Sequence, residues 1–160
     1  MDIELGRTVV SAISALSEMV VAYRVRTESD KVITEQPVQP IGSAPDPWRL
    51  NTQNTFFSEE QLDQIVSSTE ASPEAGKALA SAVPEETLRE ILKHIDTETL
   101  RLRESIADRS LSKAHRQRDL DHAEAELCVE LKAIKRSNKD VIPDVPMRAL
   151  DKAWEQHRCS

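Results

Sequence analysis

From residue 85 to residue 142 the chain contains neither glycine nor proline, and Ala, Leu, Glu, Lys and Arg dominate. A stretch that long, without a breaker and rich in strong helix formers, reads as helix. The rest of the sequence points the same way. Its 160 residues include only three glycines, the widely separated Gly6, Gly42 and Gly76. Turns that cradle phosphate need several neighbouring glycines, because only a residue without Cβ lets the backbone approach so closely. Sandwiches, barrels and propellers need many tight turns. Both classes are excluded, and the fold expected is all-α: a helical bundle or a coiled-coil-like hairpin.

Within the breaker-free stretch, Leu88, Leu92, Ile95, Leu102 and Ile106 keep near-heptad spacing. Leu120, Leu127, Leu131 and Ile134 resume it after a polar middle. One long helix and a two-helix hairpin turning near Asp108–Ser112, with Ser110 or Ser112 as the new cap, both fit. Upstream, Ser58-Glu59-Glu60-Gln61 is a capping box and Ser72-Pro73-Glu74 a proline-led start, so two short helices precede Pro84. Residues 1–25 form an apolar N-terminal helix whose polar residues Arg7, Ser11, Ser14 and Glu18 make one narrow stripe. A helix apolar over most of its circumference must be covered on most sides. A buried central or inter-subunit helix is expected there, with a membrane-active helix over residues 3–25 as the alternative.

Residues 26–57 change character. Pro37, Pro40, Pro45 and Pro47 exclude regular helix, so an extended Pro-rich arm is expected along a surface, anchored by Trp48, Phe56 and Phe57. Residues 58–140 then form the helical domain and residues 141–160 a docking helix. The stripe Met147, Leu150 and Trp154 on that last helix either closes the protein's own core or enters a partner's groove.

The net charge of -7 is spread as -6 over residues 1–83, -1 over 84–140 and 0 over 141–160. A chain acidic or neutral in every segment lacks the footprint of nucleic-acid binding. Residues 101–118 are basic, 119–130 hold five acids and no Lys or Arg, and 132–139 are basic again. Such blocks let two copies or two partners set basic against acidic stretches. Cys128 and Cys159 form neither a CxxC pair nor a disulfide framework, so reduced thiols are expected, and with an acidic start a cytoplasmic address.

His115, Asp119, His122 and Glu126 share one helical face. One straight helix cannot wrap its ligands around an ion, so no metal and no cofactor is expected. Arg89 with His94, Arg109 with His115, and Arg116 with His122 resemble the Arg-x4-6-His motif of the HEPN family, although Glu90, Ser110 and Gln117 follow the arginines instead of Asn or Asp. The resemblance implies an all-helical ribonuclease with histidine as general base and arginine on the phosphate. The reading adopted is a non-catalytic helical assembly protein, a subunit or adaptor that binds protein partners or itself. Its candidate contacts are Trp48, Phe56, Phe57, Met147, Leu150 and Trp154, and no small-molecule substrate is evident. The ribonuclease and the membrane-active protein are the alternatives.

Overall fold

The apolar N-terminal segment becomes the axis of the fold. The computed structural model describes residues 2–35, 58–137 and 148–159, and among them are six α-helices and no strand. These are α1 (Ile3–Glu35), α2 (Glu59–Ser68), α3 (Pro73–Ala82), α4 (Glu85–Ala107), α5 (Lys113–Ser137) and α6 (Arg148–Gln156). The all-α expectation holds. The boundary expected at residue 25 does not, because α1 continues to Glu35. Residues 26–35 contain no breaker, and the first proline is Pro37, whose ring disfavours helical backbone in the residue before it. The proline-rich arm itself falls outside the described residues.

α1 touches each of the other five helices. Val9, Val10, Ile13, Leu16, Met19, Val20 and Tyr23 are all buried, and Leu62, Leu79, Leu88, Ile95, Leu120 and Leu127 from the surrounding helices join them in one core. At about 1.5–3 kcal/mol for each large apolar side chain enclosed, this helix organises the rest. The chain thus supplies its own cover for α1. Its segment Ile3–Glu28 is long and apolar enough to cross a membrane, but half of that apolar window lies inside the fold.

α1 and α3 cross at their glycines. A Cβ on Gly6 would collide with the Gly76 carbonyl oxygen, and one on Gly76 would stand 2.7 Å from the Ile3 carbonyl oxygen and from Arg7 Cβ. Two of the three glycines in the chain therefore serve one backbone-to-backbone contact.

The breaker-free stretch is a hairpin. Asp108 Oδ1 accepts from the Ser110 amide at 2.9 Å and from its hydroxyl at 2.6 Å, which holds the Asp108 carboxyl below its usual range. Ser112 Oγ accepts from the His115 amide at 3.1 Å and starts α5. The buried Arg116 donates to the Leu111 carbonyl, and the Tyr23 hydroxyl meets Ser105 from α1. Burial raises the Tyr23 phenol, a rise opposed by that hydrogen bond. On α4 the buried apolar positions are Leu88, Ile91, Ile95, Leu102 and Ile106. Ile91 is buried and Leu92 half-buried, because a straight helix repeats every 3.6 residues. The capping box at Ser58 and the serine cap at Ser72 form as expected.

Gly6→Ala gains about 1 kcal/mol of helix propensity in isolation. Here it must push two touching backbones apart, and a net loss of about 2 kcal/mol is expected; urea denaturation that shows Gly6→Ala as stable as the parent contradicts this packing.

Candidate functional site

The polar stripe of α1 faces the connection between α2 and α3. Arg7 Nε donates to the Ala71 carbonyl at 2.7 Å, and Ser11 Oγ accepts from the Ala71 amide at 2.8 Å. Ala71 is held through both of its backbone groups. Beyond this clasp, Val10, Ser14, Ser17 and Glu18 form the floor of a groove of about 740 Å³, walled by residues 68–75 and by Lys152, Ala153 and Gln156 of α6. Ser14 Oγ is buried there and makes no hydrogen bond. Glu18, Glu70 and Glu74 line the groove against one base, Lys152, which lies 3.8 Å from Glu18. The groove is acidic.

At its inner edge Ser17 Oγ lies 2.8 Å from His157 Nε2, and His157 Nδ1 lies 2.6 Å from Glu124 Oε2. Serine, imidazole and carboxylate thus form a relay across α1, the C-terminal turn and α5. The His157 side chain is only 1% exposed. Its position comes from the end of α6. Cys159 N donates to the Trp154 carbonyl at 3.0 Å and Arg158 N to the Glu155 carbonyl at 3.2 Å, with Arg158 at φ 51°. This is a Schellman stop with arginine in the left-handed position that glycine usually takes. The reversed chain then places Cys159 in a disulfide with Cys128 of α5, at a Cα–Cα distance of 5.3 Å. The expected reduced thiols are therefore corrected. Their partnership was hidden by a separation of 31 residues, which only the return of α6 onto α5 closes.

A second polar group lies between α4 and α5. His94 Nε2 is 3.2 Å from Glu126 Oε2 and 3.9 Å from Glu98 Oε2, and His94 Nδ1 is 2.5 Å from Glu130 Oε1. His122 Nε2 is 3.2 Å from Glu98 Oε1 and 4.0 Å from Glu126 Oε1. Arg101 Nη1 reaches in, 3.2 Å from Glu98 Oε2 and 2.9 Å from His122 Nε2. The hydrogen bond to Glu130 raises the His94 imidazole above its usual range, burial opposes this, and the charges of Glu130, Glu126 and Glu98 reinforce it. Among the described residues, no group of three or more His, Cys, Asp or Glu is arranged to hold a metal ion.

The expected one-face set is divided. His122 and Glu126 join the α4 residues, whereas His115 pairs with Asp119 at 3.6 Å. The arginines of the HEPN-like motif have local partners: Arg89 lies 3.5 Å from Glu85, and Arg116 caps the hairpin turn. Within the basic block, Arg101 turns to Glu98 and Arg103 stands 3.6 Å from Asp63 of α2. Of the candidate contact residues, Leu150 is buried in the chain's own core. Trp154 packs against that core, with Lys135 Nζ 3.9 Å from its ring centroid. Trp48, Phe56, Phe57 and Met147 lie outside the described residues. Sequence reasoning missed Ser17, Glu124 and His157, which stand 140 and 33 positions apart and share no local spacing. It also missed Glu98, whose signal was present: His94-x3-Glu98 repeats as His122-x3-Glu126.

Comparison with known proteins returns no matching family model, curated protein or solved structure.

Two outcomes follow for the C-terminal anchor. Replacing both cysteines by serine removes a long closed loop and lowers stability by about 4 kcal/mol in the loop-entropy model, read as a fall in the urea midpoint. Arg158→Gly relieves the left-handed backbone and raises stability by up to about 1 kcal/mol, which thermal unfolding will register as an increase in melting temperature.

Proposed function

We propose that this chain is a non-catalytic helical interaction protein, a subunit or adaptor that receives a basic segment of a partner protein in the groove between α1, α6 and residues 68–75. The observation that carries the reading is the groove itself. It is partly apolar, and it exposes Glu70 and Glu74 beside Glu18. An acidic rim steers a basic segment and rejects an acidic one. The apolar α1, which suggested a partner at the level of sequence, is covered within the chain, so the partner surface is assigned to the groove. The disulfide argues for a compartment that keeps Cys128 and Cys159 oxidised, and this reading places the chain there rather than in the cytoplasm.

Zero-length carbodiimide cross-linking of the native complex, read by mass spectrometry, tests the proposal. Links from Glu70 or Glu74 to lysines of a partner or a second copy are expected. The double charge reversal Glu70→Lys/Glu74→Lys should abolish them without changing the circular dichroism spectrum. A compact monomer by light scattering that yields no such links sinks it.

A second reading rests on the relay. Ser17, His157 and Glu124 have the donor order of a nucleophile, its general base and the carboxylate that orients it, and Ser17 borders the groove. In this reading the protein is a hydrolase that acts on an acyl group. A fluorophosphonate probe should label Ser17, with labelling lost in Ser17→Ala and His157→Gln; an unlabelled protein leaves the relay as a buried anchor.

A further inference from the structure

Two histidines of this fold meet carboxylates in ways that need different numbers of protons. His157 faces Glu124 through Nδ1 and the Ser17 hydroxyl through Nε2. Serine can donate as well as accept, so a single N–H on that ring satisfies both contacts. His94 lacks this freedom. Its Nδ1 lies 2.5 Å from Glu130 Oε1, and its Nε2 lies 3.2 Å from Glu126 Oε2 and 3.9 Å from Glu98 Oε2. An ionised carboxylate only accepts and a neutral imidazole carries one N–H, so both nitrogens of His94 donate only in the imidazolium. We propose that His94 is a pH-responsive latch: as a cation it ties Glu126 and Glu130 of α5 to α4, and loss of its proton in alkaline medium loosens the seam between the two helices around it. The latch is separate from the groove and independent of the function assigned to it.

The arrangement of charge carries the assignment. Among the described residues, the charged groups that face the ring are Glu98 on its own helix and Glu126 and Glu130 on α5, and all three are acids. Once His94 is neutral, one of its nitrogens turns a lone pair toward a carboxylate, and the acids of α4 and α5 lose the cation they share. Little water reaches them to screen the repulsion, since the Glu130 side chain is only 12% exposed and that of Glu98 is buried.

The effect is local. Arg101 Nη1 stands 3.2 Å from Glu98 Oε2 and 2.9 Å from His122 Nε2, and its guanidinium stays charged throughout. Glu98 therefore keeps a cation whatever the state of His94, and the link from Arg101 to His122 still crosses the seam. The loss falls on Glu130 and Glu126.

The direction of the pH dependence follows from the same contacts. The hydrogen bond to Glu130 raises the His94 imidazole, burial opposes this, and the charges of Glu130, Glu126 and Glu98 reinforce the rise. A histidine raised by folding stabilises the native state fully below its unfolded value of about 6.5, and that contribution disappears as pH rises through the folded value. The latch is closed in mildly acidic medium and opens toward alkali.

The test follows the histidine resonances of the oxidised full-length chain by NMR from about pH 6 to about pH 9, with the urea midpoint measured over the same range. His94 is expected to titrate above about 6.5, and Glu130→Gln to bring it back toward that value. Stability of the parent falls as pH passes through the His94 midpoint. His94→Gln, which cannot titrate, diminishes that fall, whereas His115→Ala, outside the cluster, keeps it. Amide exchange corrected for its intrinsic pH dependence rises at least about threefold in residues 91–98 and 126–133 on the alkaline side, with no such rise in α3. If His94→Gln fails to fold by circular dichroism, Glu130→Gln takes its place in the stability series and must diminish the fall in turn. Titration of His94 at or below about 6.5 overturns the proposal. So does a fall in stability that these variants leave undiminished, or an exchange increase shared equally by α3.

Discussion

Everything in this molecule depends on enclosing one apolar helix. α1 exposes too little polar surface to stand in water, and the other five helices are arranged so that each covers some of it. The tightest region of that cover is the crossing with α3, where Gly6 and Gly76 let two backbones meet without side chains between them. Dispersion contacts are strongest where atoms approach closely and no void remains. The scarcity of glycine in this chain therefore has a positive side. The two helices of the long hairpin hold no glycine, and where two helices must touch backbone to backbone it is present on both.

Polar groups along α1 do a different task, which is to select which segment lies where. Arg7 and Ser11 hold Ala71 by its carbonyl and its amide, Tyr23 meets Ser105 near the hairpin turn, Arg24 spans Asp121 and Glu124, and Ser17 receives His157. Hydrophobic burial is non-directional, so it alone would leave the register of the surrounding helices poorly specified. Bonds with defined donors and acceptors remove that freedom. The C-terminal helix is anchored most heavily, by Leu150 in the core, His157 between Ser17 and Glu124, and the disulfide to α5.

Much of this architecture was legible from local pattern. Ser58-x-x-Gln61, Ser72-Pro73 and the region Asp108–Ser112 each mark a place where the backbone must satisfy free amides or turn, and each does so. The polar stripe Arg7, Ser11, Ser14 and Glu18 was visible as a helical spacing, and the structure makes it the clasp and the groove floor. Less was legible of the candidate sites. The groove needs three separate segments to meet, the Ser17–His157–Glu124 relay needs both ends of the chain and its middle, and Cys128 finds Cys159 only because Arg158 adopts a left-handed conformation that reverses the chain. None of these has a period.

The sequence by itself determined that the chain is helical, where most of its helices start and which helix must be buried, because those properties follow from propensity, capping and the 3.6-residue repeat, all of which act over a few residues. Tertiary structure alone decided that the breaker-free stretch folds back on itself, and with it that two His-x3-Glu pairs face each other rather than lie far apart on one rod. It also decided that the cysteines pair and that α1 packs against the chain's own helices. The physical reason is the same in each case: these outcomes depend on which surfaces fit together across long sequence separations, and the energy of that fit is written in no single segment.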